Sequence, residues 1–461
     1  MNKKRTITAK ILSIVTSASL TAGMGVTAAT TAAAQDASGS VLSSEPVPGV
    51  PRSSVDTGVA GSSFDPADPF YATPADVPTN SGALIRTQTA PHLLNLIGAP
   101  GPGQAQKILY STKTQDDEPT VASGFVIEPI APWTGKGPVP TVVFTPGTRG
   151  QADVCAPSRA VGLVANADLR NGAINVNYEL PNMYIASAMG MRVVATDLIG
   201  LGTKDLHTFM NRAEQAHATL DAARAGLAAA GIPADSPIAI NGYSQGGGAA
   251  AAAAELAGEY APELNLKGTA AGAPPADLNQ VMEEIDENAI AGVLGYSLNG
   301  YLQRRPDLES WIDERFNDKG KQFLADTKDR CLVDSVAAWG LTDTRTLTTD
   351  GKSFREIVDE MPELQEIINE QTIGNRPLNA PMLVSNGRHD DTIPYEQART
   401  MARKFCEQGA TVQFVTSEIP PILPKFAINH ALPMLEQLPT TMTYLADRFN
   451  DVPAPSNCSR F

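Results

Sequence analysis

The stretch PIAINGYSQGGGAAAAAAELAG, residues 237–258, constrains the fold more than any other. Its first six residues read as a short buried strand. Its last fourteen, Gln245 to Gly258, read as a helix rich in glycine and alanine. A strand that passes into a helix within two residues must turn sharply at Ser244. Side chains two positions to either side would collide there, so Gly242 and Gly246 are sterically demanded. Gly247, Gly248 and the alanines after them let the helix approach the sheet closely. A Gly-x-Ser-x-Gly turn in this setting holds its serine in a strained backbone conformation with the hydroxyl exposed.

The flanking sequence repeats the alternation. QKILYSTKTQDDEPTVASGFVIEP reads as two antiparallel strands around a polar turn, and PTVVFTPG as a buried strand ending in a Pro-Gly turn. A helix near Tyr178–Met189 precedes the strand RVVATD. The long helix NRAEQAHATLDAARAGLAAAG stops at Gly231, and LKGTAAGAP is a further strand. Strands and helices that alternate over short links imply a mostly parallel sheet covered by helices. From Pro275 to Leu378 the pattern turns helical and acidic, with no clear strand. It then resumes with APMLVSNG, PYEQARTMARKFCEQG and TVQFVTSE, and closes with a helix near Leu432–Arg448. The expected organisation is an α/β core over 66–274 and 379–461, interrupted by a helical cap or lid at 275–378.

The chain opens with Lys3, Lys4, Arg5 and an apolar run, followed by the small residues TAAAQDA, which predicts a signal peptide over 1–34 cleaved after Ala34. Residues 35–65, rich in Ser, Pro, Gly and Val, read as a flexible leader. Loss of Lys3, Lys4, Arg5 and Lys10 would take the net charge from −15 to −19. So acidic a chain is a poor match for nucleic acid or an anionic membrane. An even cysteine count, Cys155, Cys331, Cys406 and Cys458, in an exported chain suggests two disulfides, for which three pairings exist. No Cys-x-x-Cys spacing supports a metal cluster.

A serine hydroxyl needs a histidine to take its proton and a carboxylate to orient that histidine. Only His389 and His430 follow Ser244. Asp390 and Asp391 lie in the turn SNGRHDDTIP just after a strand, and His430 lies in FAINHALP after the next strand and before the last helix. Ser244, Asp390 and His430 thus form the candidate triad, with Asp391 as the alternative acid and His389 as a surface or supporting residue. The oxyanion needs backbone N–H donors: Gln245, and Gly147 or Thr148 in the loop after TVVFTPGT. Gly200–Gly202 lacks the third glycine of a dinucleotide fingerprint. His207 and His217 suggest no metal pair.

The chain resembles the secretory lipase family of yeasts and actinobacteria. TPGTRGQADVCAPS is similar to that family's oxyanion loop and Cys-Ala-Pro-Ser segment. ATDLIGLGT with LDAARAG is similar to its Gly-Leu-Gly-Thr stretch, GYSQGG to its serine turn, and DDTIPY to its acid turn, matching Asp390. The resemblance implies an α/β-hydrolase fold with a helical cap. It also implies pairing of Cys155 with Cys331 and of Cys406 with Cys458. Pro146 and Leu198 depart from the family's usual His and Tyr near the expected oxyanion loop. The expected function is a secreted serine hydrolase of carboxylic esters, acting on small-molecule or lipid esters with transient contact to a lipid interface and no cofactor. The rival readings are an acyltransferase or peptidase on the same machinery, and a non-catalytic cell-envelope binding protein.

Overall fold

A computed structural model describes residues 64–92 and 103–460. The expected signal peptide and nearly all of the expected leader lie outside the described residues. Eleven strands are described: β1 (Leu84–Ala90), β2 (Ala105–Lys113), β3 (Pro119–Ile127), β4 (Thr141–Thr145), β5 (Ala165–Asp168), β6 (Ala173–Val176), β7 (Arg192–Ile199), β8 (Pro237–Tyr243), β9 (Asn265–Gly272), β10 (Met382–Gly387) and β11 (Val412–Ser417). Nine of them form one sheet in the order β1-β2-β3-β7-β4-β8-β9-β10-β11, and β5 and β6 pair separately as a hairpin. From β7 to β11 every neighbouring pair is parallel, and β1, β2 and β3 extend one edge in antiparallel fashion. This is the α/β-hydrolase architecture expected from the alternation of elements. The sequence reading missed β1 and the β5–β6 hairpin. Both are half-exposed, so neither shows the apolar run that marked the central strands.

Helices α1 (Leu180–Ala188), α2 (Arg212–Ala229) and α3 (Gln245–Tyr260) lie between the strands of the first part of the core. Helix α2 opens on Asn211, whose side chain accepts from the Glu214 N–H. Ala249–Ala254 of α3 are all buried in the core, together with Val143, Ile238 and Ile240 of the sheet. A helix can come this close only if its contacting face is methyl groups or hydrogen atoms.

Between β9 and β10 the described chain carries helices and no strand: α4 (Leu278–Ile285), α5 (Val293–Arg304), α6 (Glu309–Arg315), α7 (Asp318–Lys328), α8 (Leu332–Trp339), α9 (Phe354–Glu360) and α10 (Pro362–Glu370). These helices have their own apolar cluster, which includes Tyr296, Phe316, Phe323 and Trp339. Helix α11 (Tyr395–Glu407) and the long α12 (Ile428–Phe449) complete the second part of the core. No described helix is long and apolar enough to cross a membrane.

Two disulfides are formed, Cys155–Cys331 and Cys406–Cys458, with Cα–Cα separations of 5.4 and 5.6 Å. The first ties the loop beyond β4 to the start of α8, where Gln151 N–H donates to Arg330 O and Leu332 N–H to Arg149 O. The second ties α11 to the C-terminal tail.

The turn at Ser244 is tightly packed. Ser244 adopts φ 60° and ψ −126°, a conformation that costs about 1–3 kcal/mol and persists only where its surroundings enforce it. A Cβ on Gly246 would lie 2.1 Å from Thr145 O, and one on Gly242 2.2 Å from Gly246 O. At Gly258, in the same helix, the nearest atom to an added Cβ is 3.6 Å away. Gly246→Val is therefore expected to abolish the cooperative fold, whereas Gly258→Ala should stabilise it by up to about 1 kcal/mol by favouring helix. Thermal unfolding of the two variants tests this pair of opposite signs.

Candidate active site

The carboxyl ends of β4, β8 and β10 deliver the candidate residues to one region. Asp390, in the turn after β10, is held from two sides. Its Oδ1 accepts from the N–H groups of Thr392 (3.0 Å) and Ile393 (2.9 Å), and its Oδ2 faces Nδ1 of His430 at 2.8 Å. Asp390's side chain is fully buried and His430's nearly so. With Nδ1 turned to the carboxylate, Nε2 is the ring's remaining nitrogen for proton transfer. His430 is in the first turn of α12, not in a loop before the last helix as expected. The helix starts after Ala427, which is in a left-handed conformation (φ 58°), and carries Pro433 inside it.

Asp391 points elsewhere. Its Oδ2 accepts from Asn429 Nδ2 at 3.3 Å, its backbone carbonyl accepts from Asn288 Nδ2, and it makes no hydrogen bond with His430. Burial, and next the adjacent Asp390 charge, raise its pKa. His389 is exposed and bonds to neither aspartate. Ser244 and His430 are linked through Tyr243, whose hydroxyl donates to the His430 carbonyl at 2.7 Å and whose ring lies 5.2 Å from the imidazole. No hydrogen bond joins Ser244 Oγ to His430 itself; such bonds commonly tighten only when substrate is bound. Tyr243 carried no signal in the sequence beyond its place in the Gly-Tyr-Ser turn.

The two candidate partners of Gln245 in the oxyanion loop separate cleanly. Gly147 is not available as a donor, because its N–H is already taken by Glu179 Oε2 at 2.9 Å. Thr148 lines the same cavity as Ser244 and Gln245. Glu179 also receives Arg149 at 2.7 Å, and the Arg149 guanidinium stacks 4.0 Å over the Tyr178 ring, whose hydroxyl donates to Thr148 O. Burial raises the pKa of Glu179, while Arg149 and the Gly147 N–H oppose that shift. A buried ion pair thus fixes the loop that presents Thr148. Neither Arg149 nor Glu179 was distinguishable in the sequence, since their 30-residue separation follows no motif.

Beside Ser244 opens a cavity of about 1040 Å³ of empty space, its mouth to solvent included. The wall comes largely from the helices between β9 and β10, among them Val293, Leu294, Leu298, Tyr301 and Leu302 of α5. Gly292 and Gly295, in the same stretch of chain, face Ser335, Thr327 and Phe323 of neighbouring helices. Leu198 is buried in the sheet core and does not line the cavity. Among the described residues no group of three or more His, Cys, Asp or Glu side chains could hold a metal ion.

The model of the family described as secretory lipase matches residues 165–457. The chain belongs to the secretory lipase family. A protein named secreted triacylglycerol lipase from Malassezia globosa is 27% identical over 364 residues, covering 77% of this chain and 75% of that one. A Mycobacterium tuberculosis protein named probable inactive lipase is 28% identical over 400 residues, covering 84% and 82%. The crystal structure of Candida antarctica lipase A shares the fold with a TM-score of 0.71 and 24% identity, covering 85% of this chain and 88% of that one. As a member of this family the chain is a carboxylic ester hydrolase.

One residue near the serine was set aside in the sequence and is integral here. His207 is fully buried between Ile199 O, 2.7 Å from Nδ1, and Gln245 Nε2, 2.9 Å from Nε2. Burial lowers its pKa from 6.5 to about 4. The unfolded chain therefore takes up a proton at this position as pH falls below 6.5, while the folded chain stays neutral until about 4. Stability contributed above that window is lost within it, up to about 3 kcal/mol. Urea unfolding at pH 7 and pH 4.5 is expected to show a smaller acid loss in His207→Gln than in the unchanged protein, by about 2–3 kcal/mol.

Proposed function

We propose that the protein is a secreted serine lipase or esterase that cleaves fatty-acyl esters through an acyl-enzyme. The observation that carries this reading is the Asp390–His430 bond of 2.8 Å beside a strained serine that opens on an apolar cavity. Ser244 attacks the ester carbonyl, and His430 takes its proton and returns it to the departing alcohol. Asp390 holds the imidazole in the tautomer that presents Nε2 and stabilises the cation that forms. The N–H groups of Gln245 and Thr148 receive the oxyanion, and water then resolves the acyl-enzyme. The helices between β9 and β10 act as a cap domain whose inner wall holds the acyl chain. Secretion is supported by the two disulfides, which persist in oxidising compartments, and by the basic, apolar start of the sequence.

Activity and role assignment are tested together. Ser244→Ala and His430→Ala are each expected to lower kcat by about 10⁴-fold or more with the fold intact, because the triad acts as a unit. Asp390→Asn should be comparably severe, since it disturbs the imidazole tautomer, while Asp391→Asn stays within about tenfold. Reversal of the two aspartate results would reassign the acid. Retained fluorophosphonate labelling at Ser244, lost on denaturation, separates a working site from the inactive condition named for the Mycobacterium relative.

The acyl wall has its own test. Leu298 lines the cavity on α5. Leu298→Trp should cut hydrolysis of long-chain p-nitrophenyl esters relative to the acetyl ester by about tenfold or more. An unchanged chain-length profile would remove α5 from the account of specificity.

A further inference from the structure

The wall beside Ser244 is apolar with few exceptions, and one of those exceptions is held with unusual care. Gln245 is 3% exposed and lines the cavity next to the serine. Its side-chain amide has a single hydrogen-bond partner among the described residues, Nε2 of His207. The direction of that bond follows from chemistry. The carbonyl of Ile199 can only accept, so Nδ1 of His207 carries the proton that meets it. Burial keeps the ring neutral, so Nε2 has a lone pair and no proton. The amide must therefore turn its NH₂ toward His207 and its oxygen, Oε1, away.

No group among the described residues donates to Oε1. Thr392, another polar residue of the wall, has its Oγ1 buried without a partner among the described residues. Gln245 Oε1 is thus an acceptor that the protein leaves free, one residue from Ser244, in a wall otherwise suited to hydrocarbon, and a ligand that can donate would pair with it. An acyl chain has nothing to donate. The alcohol half of an ester does, when it keeps a hydroxyl beside the scissile oxygen.

We propose that Gln245 Oε1 recognises a free hydroxyl on the alcohol portion of the substrate, and that His207 is the positioning residue that fixes the amide in the accepting orientation. The preferred esters are then those of polyols that retain an unesterified hydroxyl. The inference rests on the reading of Ser244 as nucleophile, and it adds a choice of leaving group that the triad does not contain. The hold on His207 extends further. Its carbonyl accepts from Gln151 Nε2, which also donates to Tyr296 O, and Gln151 Oε1 accepts from Asn299 Nδ2. Helix α5, which walls the acyl side of the cavity, therefore also braces the residue that orients the alcohol side.

Glycerol monooctanoate and propyl octanoate make the test, since they share an acyl chain and a three-carbon alcohol and differ in the free hydroxyls. In the unchanged enzyme kcat/KM should favour the glycerol ester by about tenfold, the worth of one good hydrogen bond. Gln245→Leu keeps the backbone N–H and should collapse this ratio toward one, whatever loss the two esters share. His207→Leu frees the amide to turn and should also collapse it. His207→Gln offers an acceptor oxygen in place of Nε2 and should restore the ratio to within about twofold. A ratio unmoved in Gln245→Leu overturns the proposal. Equal losses on both esters in His207→Leu, with the ratio kept, would make His207 a packing residue only and overturn its positioning role. If His207→Leu does not fold, Gln245→Leu and His207→Gln still decide. An enzyme that cleaves neither ester removes the reading of Ser244 and this inference with it; cleavage of both with no preference removes the inference alone.

Discussion

The backbone turn at Ser244 is the constraint from which the rest of the site follows. A residue at φ 60° between a strand and a helix is unfavourable by itself. It is enforced because β8 is fixed between β4 and β9, while α3 is pressed onto the same sheet by a face of glycine and alanine. Thr145 then closes the turn from the neighbouring strand, its hydroxyl donating to Gly246 O at 2.7 Å. The strain at one residue is offset by the packing of a whole helix against a sheet. That arrangement also sets where everything else must be. Loops after the parallel strands on either side of β8 reach the serine's cavity, and those after β4 and β10 carry Thr148 and Asp390.

Two devices keep these loops in place, and they differ in kind. The acid turn is held by its own backbone, with Thr392 and Ile393 donating to Asp390 before His430 does. The oxyanion loop is held by charge. Arg149 and Glu179 are both nearly inaccessible to water, so each depends on the other and on neutral partners: the Gly147 N–H for Glu179, and Val176 O and Asn177 Oδ1 for Arg149. A buried pair of this sort adds little stability compared with apolar residues of the same shape, but loss of one partner strands a charge. Its use here is geometric. Because Glu179 occupies Gly147, the loop offers the cavity Thr148 and not its neighbour.

The fold was legible because it is written in periodicities. β4, β8 and β10 are short apolar runs, and α2 and α3 are long alanine-rich segments without proline. The interruption between Pro275 and Leu378 was legible for the same reason, as strand signals cease there. Ser244, Asp390 and His430 stood out because the chemistry fixes their order and their seats relative to strands. What could not be read depends on contacts between distant segments. Glu179 is an ordinary helix-start residue until Gly147 and Arg149 fold against it. His207 follows a glycine-rich loop without pattern, and only burial at Ile199 and Gln245 gives it a role. The choice between Gly147 and Thr148 is of the same type, since two adjacent N–H groups are equivalent in sequence and distinguished by one carboxylate.

An apolar cavity beside the proposed nucleophile, Ser244, poses a problem that the helices between β9 and β10 must solve. Atoms that line an empty space lack contact partners on one side, so the segment that forms the wall gains less from packing than a filled core would give. The segment is accordingly fastened by bonds that do not depend on filling the cavity. Cys331 anchors α8 to the loop beyond β4. Asn299 of α5 reaches Gln151 in that same loop, and Lys425 donates to the carbonyls of Glu284 and Asp286 at the end of α4. Asn288 ties the start of the segment to the carbonyl of Asp391, next to the acid. These anchors run to the segments that carry Thr148, Asp390 and His430. The apolar interior is thus left free to vary with the acyl chain proposed to occupy it, while the segment stays in register with Ser244, Asp390 and His430.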